Sequence, residues 1–120
     1  MTLRRRTLRL LLSGLVLLVA AGAIAGCGED RQAQTVEVVV PAGTQDRLDA
    51  GETVDVMPAR IELRVGDTLL MRNEDDVDQT VGPYFVTAGG ELSLTYSVAG
   101  RYEGYCPLSG TDGYEIVVVD

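Results

Sequence analysis

From Thr35 onward the chain is a succession of short apolar runs, each stopped by turn residues before it reaches the length of a stable helix. "TVEVVVP" (35–41) is rich in β-branched residues and stops at Pro41, whose missing N–H cannot serve a strand ladder. "RIELRV" (60–65) alternates, with Ile61, Leu63 and Val65 to one side and Arg60, Glu62 and Arg64 to the other. That period of two is the pattern of a half-buried strand. "TLLMRN" (68–73) follows directly after "GD", so these two runs are expected to form a hairpin. "QTVGPYFV" (79–86), interrupted at Gly82-Pro83, then "ELSLTYSV" (91–98), "YEGYC" (102–106) and "YEIVVV" (114–119) extend the series. "TVDVMP" (53–58) reads as a further extended piece, while "AGTQDRLDAGE" breaks the pattern. There Thr44 is placed to cap a short helical turn and Gly51 to end it. Short strands at this spacing predict an all-β fold, an antiparallel Greek-key β-sandwich over residues 35–120.

Composition narrows the chemistry. The chain has no histidine and no tryptophan, and one phenylalanine. Without imidazole there is no Ser-His-Asp or Cys-His pair and no histidine zinc site. No pair of carboxylates or tyrosines is marked out to take over acid–base work, so the protein is expected not to be an enzyme.

The first residues are a different kind of sequence. In "MTLRRRTLRLLLSGLVLLVAAGAIAGC", Arg4, Arg5, Arg6 and Arg9 precede an apolar stretch from Leu10 to Ala25. This is the layout of a secretory signal. Ile24-Ala25-Gly26-Cys27 resembles the bacterial lipobox, which implies cleavage before Cys27 and a diacylglyceryl group on its sulfur, with acyl chains such as palmitate. The expected organisation is a cleaved signal helix at 1–26, a lipidated tether at 27–34 and the domain at 35–120. The apolar stretch also suits a plain membrane anchor. Arg5-Arg6-Thr7-Leu8 resembles a twin-arginine signal, so the export route stays open between Sec and Tat. Lipidation would make Cys106 the only free thiol of the mature chain and place the domain on the extracytoplasmic face of a cell membrane. From Cys27 on, six arginines face all 18 acidic residues, a side-chain charge of −12. No basic patch is available to neutralise phosphates, so nucleic acid is not an expected partner. Anionic headgroups are expected to repel the domain, which suits a tethered soluble module.

The order of features in the remaining chain resembles the cupredoxin family of blue-copper β-sandwiches, in particular small secreted members with the pattern "NEDxxxHxVGPF…GxYxGxCxxH". The matching residues are Asn73-Glu74-Asp75, Gln79, Val81-Gly82-Pro83-Tyr84, and Gly100-Arg101-Tyr102-Glu103-Gly104-Tyr105-Cys106. The resemblance covers about residues 35–120. It implies a metal held by a histidine at position 79, by Cys106, and by a histidine at position 109. Here those positions carry Gln79, Cys106 and Ser109, and Gly110-Thr111-Asp112-Gly113 offers no axial thioether. A type 1 copper site needs two imidazoles and a thiolate; an amide oxygen and a hydroxyl are hard, weak substitutes. The resemblance therefore implies the fold with its copper site lost, no resident metal or cofactor, and a role in binding or assembly. The alternative is a weak copper or electron-transfer module using Cys106, with Met57 or Met71 as soft donors.

Each of these residues also has a plainer reading. Cys106 suits a small buried residue at a strand end. Glu74, Asp75, Asp76 and Asp78 read as a solvated loop; calcium would use such oxygens, but their spacing lacks the EF-hand pattern. Met71 is expected in the core. Tyr84, Tyr102, Tyr105 and Tyr114 suit core and rim packing, or a surface patch for a protein partner.

Overall fold

A computed structural model describes residues 30–120. The signal segment and Cys27 lie outside the described residues. The chain from Arg31 on forms one compact unit, and the Arg31 guanidinium is held to its body by Asp67.

Eight strands and one helix follow in order: β1 (Thr35–Val40), α1 (Thr44–Asp49), β2 (Arg60–Arg64), β3 (Thr68–Asn73), β4 (Gln79–Val81), β5 (Tyr84–Val86), β6 (Glu91–Thr95), β7 (Gly100–Tyr105) and β8 (Gly113–Val119). One sheet has the order β1-β3-β6, a second β2-β8-β7, and β4-β5 form a small ribbon. The expected β-sandwich is present. Its inner faces are the alternate residues of each strand: Val38, Val40, Leu69 and Met71 from the first sheet meet Ile61, Leu63, Ile116 and Val118 from the second. Met71 is in the core, as its position in β3 predicts.

Two details differ from the sequence reading. The sheets are mixed: β1 runs parallel to β3 and β2 parallel to β8, while β3–β6, β7–β8 and β4–β5 are antiparallel. And β2 and β3 do not form a hairpin; they belong to opposite sheets. The physical reason lies at Val65-Gly66-Asp67. Gly66 takes φ 93°, and the Asp67 carboxylate accepts the Arg64 N–H at 2.8 Å. That corner carries the chain across the sandwich, so Leu63 and Leu69 face each other's sheets instead of lying side by side. A "GD" dipeptide suits either outcome.

The 53–58 segment joins no sheet, although it buries Val54 and Met57. The helix is ended by Gly51 as expected. Gly51 N–H bonds the Leu48 carbonyl and Glu52 N–H that of Arg47, with Gly51 at φ 74°, a Schellman closure. Its start differs. Gly43 is the cap, and Thr44 is the first helical residue, its hydroxyl donating to the Pro41 carbonyl at 2.6 Å. Of the N–H groups left over at the N-terminus, those of Gly43 and Gln45 are satisfied from across the fold, by Asp75.

Candidate functional site

The sandwich has two ends. At one, the corner end, β3 starts, β6 ends, and β2 and β8 end. At the other, the loop end, β7 runs into Cys106, and residues 106–113 return the chain to β8. Gln79, Cys106 and Ser109 all belong to the loop end, and all three are buried.

Cys106 is fully enclosed. Its backbone N–H bonds the Asp112 carbonyl, its carbonyl accepts from Ser109 N–H, and Asp112 N–H returns to Ser109. Asp112 adopts φ 58° to close this tight loop, a conformation that aspartate tolerates better than most residues. The thiol Sγ accepts the Gly82 N–H at 3.4 Å. Gly82, at φ 59°, occupies the first turn position between β4 and β5, where a two-residue hairpin favours glycine. Space there is also tight. A Cβ there would sit 3.1 Å from Met57 Cε and 3.7 Å from the Tyr114 ring. Gly104 is equally closed off, its would-be Cβ 3.1 Å from the Tyr114 hydroxyl. Met57 and Tyr114 thus close in on Gly82, whose N–H meets the thiol.

Ser109 is committed within its own loop: its hydroxyl pairs with Thr111 Oγ1 at 3.1 Å. Gln79 is committed elsewhere. Its amide donates to Gln45 Oε1 at 3.2 Å and to Asp75 Oδ2 at 3.3 Å. These three positions therefore share one end of the fold, but their hydrogen bonds belong to three separate local arrangements.

Asp75 is the residue that sequence reading undervalued. In place of a solvated loop acid, it is a buried carboxylate accepting the N–H groups of Gly43 at 3.1 Å, Gln45 at 2.8 Å and Asp76 at 3.0 Å, besides Gln79. The Gln45 N–H, then the other donors, hold its carboxyl below the usual range against the opposing effect of burial. Asn73, also buried, braces the same loop by donating to the carbonyls of Val77, Val86 and Thr87. Asp78 accepts the Ala88 N–H at 2.8 Å. The one signal for these roles was the spacing of Asn73 and Asp75 ahead of a two-stranded ribbon. Among the described residues, no group of three or more His, Cys, Asp and Glu side chains converges as a cation site.

The tyrosines divide by position. Tyr96 is buried, its hydroxyl 2.8 Å from that of Tyr84 and its ring 5.8 Å from Tyr102. Burial first, then the Tyr84 hydroxyl, pushes its ionisation well above the ordinary range. Tyr114 is raised by burial and then by Cys106 and Tyr84. Tyr105, Phe85 and Tyr102 are the outward-facing aromatics, 71%, 61% and 41% exposed.

No protein-family model matches the chain, and no curated protein sequence does. Solved structures do. A variant of amicyanin in its Cu(I) form is 18% identical, with a TM-score of 0.44, over 70% of this chain and 81% of that one. A purple cupredoxin from Nitrosopumilus maritimus is 20% identical, with a TM-score of 0.40, over 72% of this chain and 99% of that one. A second amicyanin variant, reduced at pH 4, is 17% identical with a TM-score of 0.44, over 74% and 86%. The two-sheet β-sandwich that the motif order implied is read from the chain's own strands. At these identities and scores no ligand, partner or activity carries over to this chain.

Proposed function

We propose that the protein is a lipid-anchored, non-enzymatic binding or assembly module on the outer face of a bacterial membrane, a cupredoxin-like domain without a type 1 copper site. One observation carries this reading. At the positions where the family resemblance implies imidazoles, the Gln79 amide is spent on Asp75 and Gln45, and the Ser109 hydroxyl on Thr111. Cys106 is left as a lone soft donor, and the residues present do not fit a mononuclear blue-copper centre. The exposed aromatics Phe85 and Tyr105 support a protein partner as the occupant of the loop end. Anchoring rests on the signal layout and on Cys27.

Purified protein refolded with Cu(II) is expected to show no intense thiolate-to-copper absorption in the visible. Such a band at one copper per chain would sink the proposal.

A weak Cu(I) site is the second reading, favoured by one contact. Met57, a thioether, packs against Gly82, whose N–H meets the Cys106 sulfur. Cys106→Ser separates the two: it abolishes Cu(I) binding under the second reading, and under the first there is no such binding to lose.

A further inference from the structure

We infer that the domain stands on its lipid surface by the corner end, with Val65, Val98 and Val119 against the bilayer and the Cys106 loop turned away from it. This rests on the anchor at Cys27 proposed above.

The corner end is where the chain leaves the fold, and it leaves under restraint. The Arg31 guanidinium grips both oxygens of Asp67 at 3.0 and 2.8 Å, and Gln34 N–H reaches the same carboxylate at 2.9 Å. Thr68 N–H bonds the Gln34 carbonyl at 2.9 Å as well. Residues 31–34, expected as free tether, are therefore bound to the body. What remains between Cys27 and Arg31 spans at most about 14 Å when fully extended. The strands of the sandwich are longer than that. From Thr68 to Asn73, β3 rises about 17 Å. A lipid at Cys27 thus cannot reach past the body to let the loop end rest on the membrane.

The surface at the corner end suits that placement. Val65, Val98 and Val119 are 38%, 70% and 47% exposed. They lie together: Val65 N–H bonds the Val119 carbonyl at 2.8 Å, and the next residue, Gly66, bonds Tyr96, two residues before Val98. Together they make a small apolar patch that a bilayer interface would cover. Arg31 and Arg64 stand beside them, with Asp30 and Asp120 as exposed acids. The loop end also exposes Val77, Phe85 and Tyr105, but it is more acidic: Glu74, Asp76, Asp78, Glu103 and Asp112 are all exposed there. Anionic headgroups repel that end and tolerate the other.

The chain has no tryptophan, so a single introduced indole reports its own position. Val98→Trp and Tyr105→Trp, both at well-exposed sites, are prepared in the full-length protein extracted from membranes. Each is reconstituted into phosphatidylcholine–phosphatidylglycerol vesicles with brominated acyl chains. The expected result is loss of fluorescence for Val98→Trp and unchanged fluorescence for Tyr105→Trp. Equal quenching, or stronger quenching of Tyr105→Trp, overturns the inference. The mass of the N-terminal peptide keeps the two ideas apart. Lipidated Cys27 with equal quenching overturns the orientation alone, whereas unmodified Cys27 overturns the anchor reading and this inference with it. Adding Arg31→Ala releases residues 31–34 and is expected to reduce the contrast between the two positions; an unchanged contrast overturns the part assigned to the Arg31–Asp67 grip.

Discussion

Each end of the sandwich is organised by one buried aspartate, and the two are satisfied differently. Asp67, at the corner end, gathers the Gln34 and Arg64 N–H groups and is paired with Arg31. Asp75, at the loop end, gathers the Gly43, Gln45 and Asp76 N–H groups and the Gln79 amide, and among the described residues no cation pairs with it. The difference teaches how each end is held. The corner end is closed by charge, with half-exposed valines outside it. The loop end is closed by neutral donors and by packing around Cys106 and Leu108, both fully buried. In that setting Gln79 acts as a donor to a carboxylate, the opposite of a metal ligand offering a lone pair. An amide whose NH2 points at a carboxylate presents that partner with no lone pair.

The largest expected effect tests whether the loop end is held by packing. Leu108 fills the core, and its carbonyl accepts the Val56 and Met57 N–H groups at 2.8 and 2.9 Å. Leu108→Ala is expected to lower unfolding free energy by about 2–5 kcal/mol, read by urea denaturation. The matching substitution at the corner end, Val98→Ala, is expected to stay within about 0.5 kcal/mol. Similar losses from both would break the comparison.

A smaller loss is expected from Cys106→Ser. The hydroxyl keeps the size of the thiol but enters an enclosed site where Gly82 N–H is the available partner. A buried, poorly satisfied hydroxyl costs about 1–3 kcal/mol. Thermal melting of wild type and variant, both without metal, measures it. A neutral result would mean that the site is wet, contrary to the full burial of Cys106.

How far these ends were legible in the sequence differs in the same way. Alternation placed Ile61, Leu63 and Met71 in the core, because side-chain direction in a strand is local; Val65, put on the same face as Ile61 and Leu63, is instead exposed at the corner. Their pairing was not legible. Whether Val65-Gly66-Asp67 turns within a sheet or crosses between two depends on what Asp67 finds, and its partners Arg31 and Gln34 lie more than thirty residues away. Asp75 was hidden for the same reason: in "NEDDVD" four acids look alike, and the one that is buried is chosen by the orphan N–H groups of α1, a distant element. The positions of Gln79, Cys106 and Ser109 were readable from the motif order. Their hydrogen-bond partners were not, since Gln45 and Thr111 carry no signal of their own.

Acid separates the ends next. Asp67 is held far below the ordinary carboxylate range, first by the Arg31 hydrogen bonds and then by the Gln34 and Arg64 N–H groups. A carboxylate lowered on folding stabilises the fold above its unfolded pKa of about 3.9. That stabilisation is lost as the pH falls through the folded value. Unfolding free energy is therefore expected to drop with acid below about pH 4, and less steeply in Asp67→Asn, which has no such proton to take up. Asp75 is lowered too, so some slope must remain in the variant. An unchanged slope in Asp67→Asn would place the acid sensitivity at the loop end.

The smallest effect is expected from Arg31→Ala, and its salt dependence is the informative part. Arg31 contributes charge to a buried carboxylate from a side chain that is 35% exposed. Asp67 keeps its two backbone donors without it, so the corner itself is expected to survive and the melting temperature to fall only slightly. At about 1 M salt the screening length shortens to roughly 3 Å, which weakens the wild-type pair and leaves the variant little to lose. The difference between the two proteins is therefore expected to shrink as salt is added. A difference that persists at high salt would mean that Arg31 holds the corner by packing and hydrogen-bond geometry, and the corner would then resemble the loop end in how it is closed.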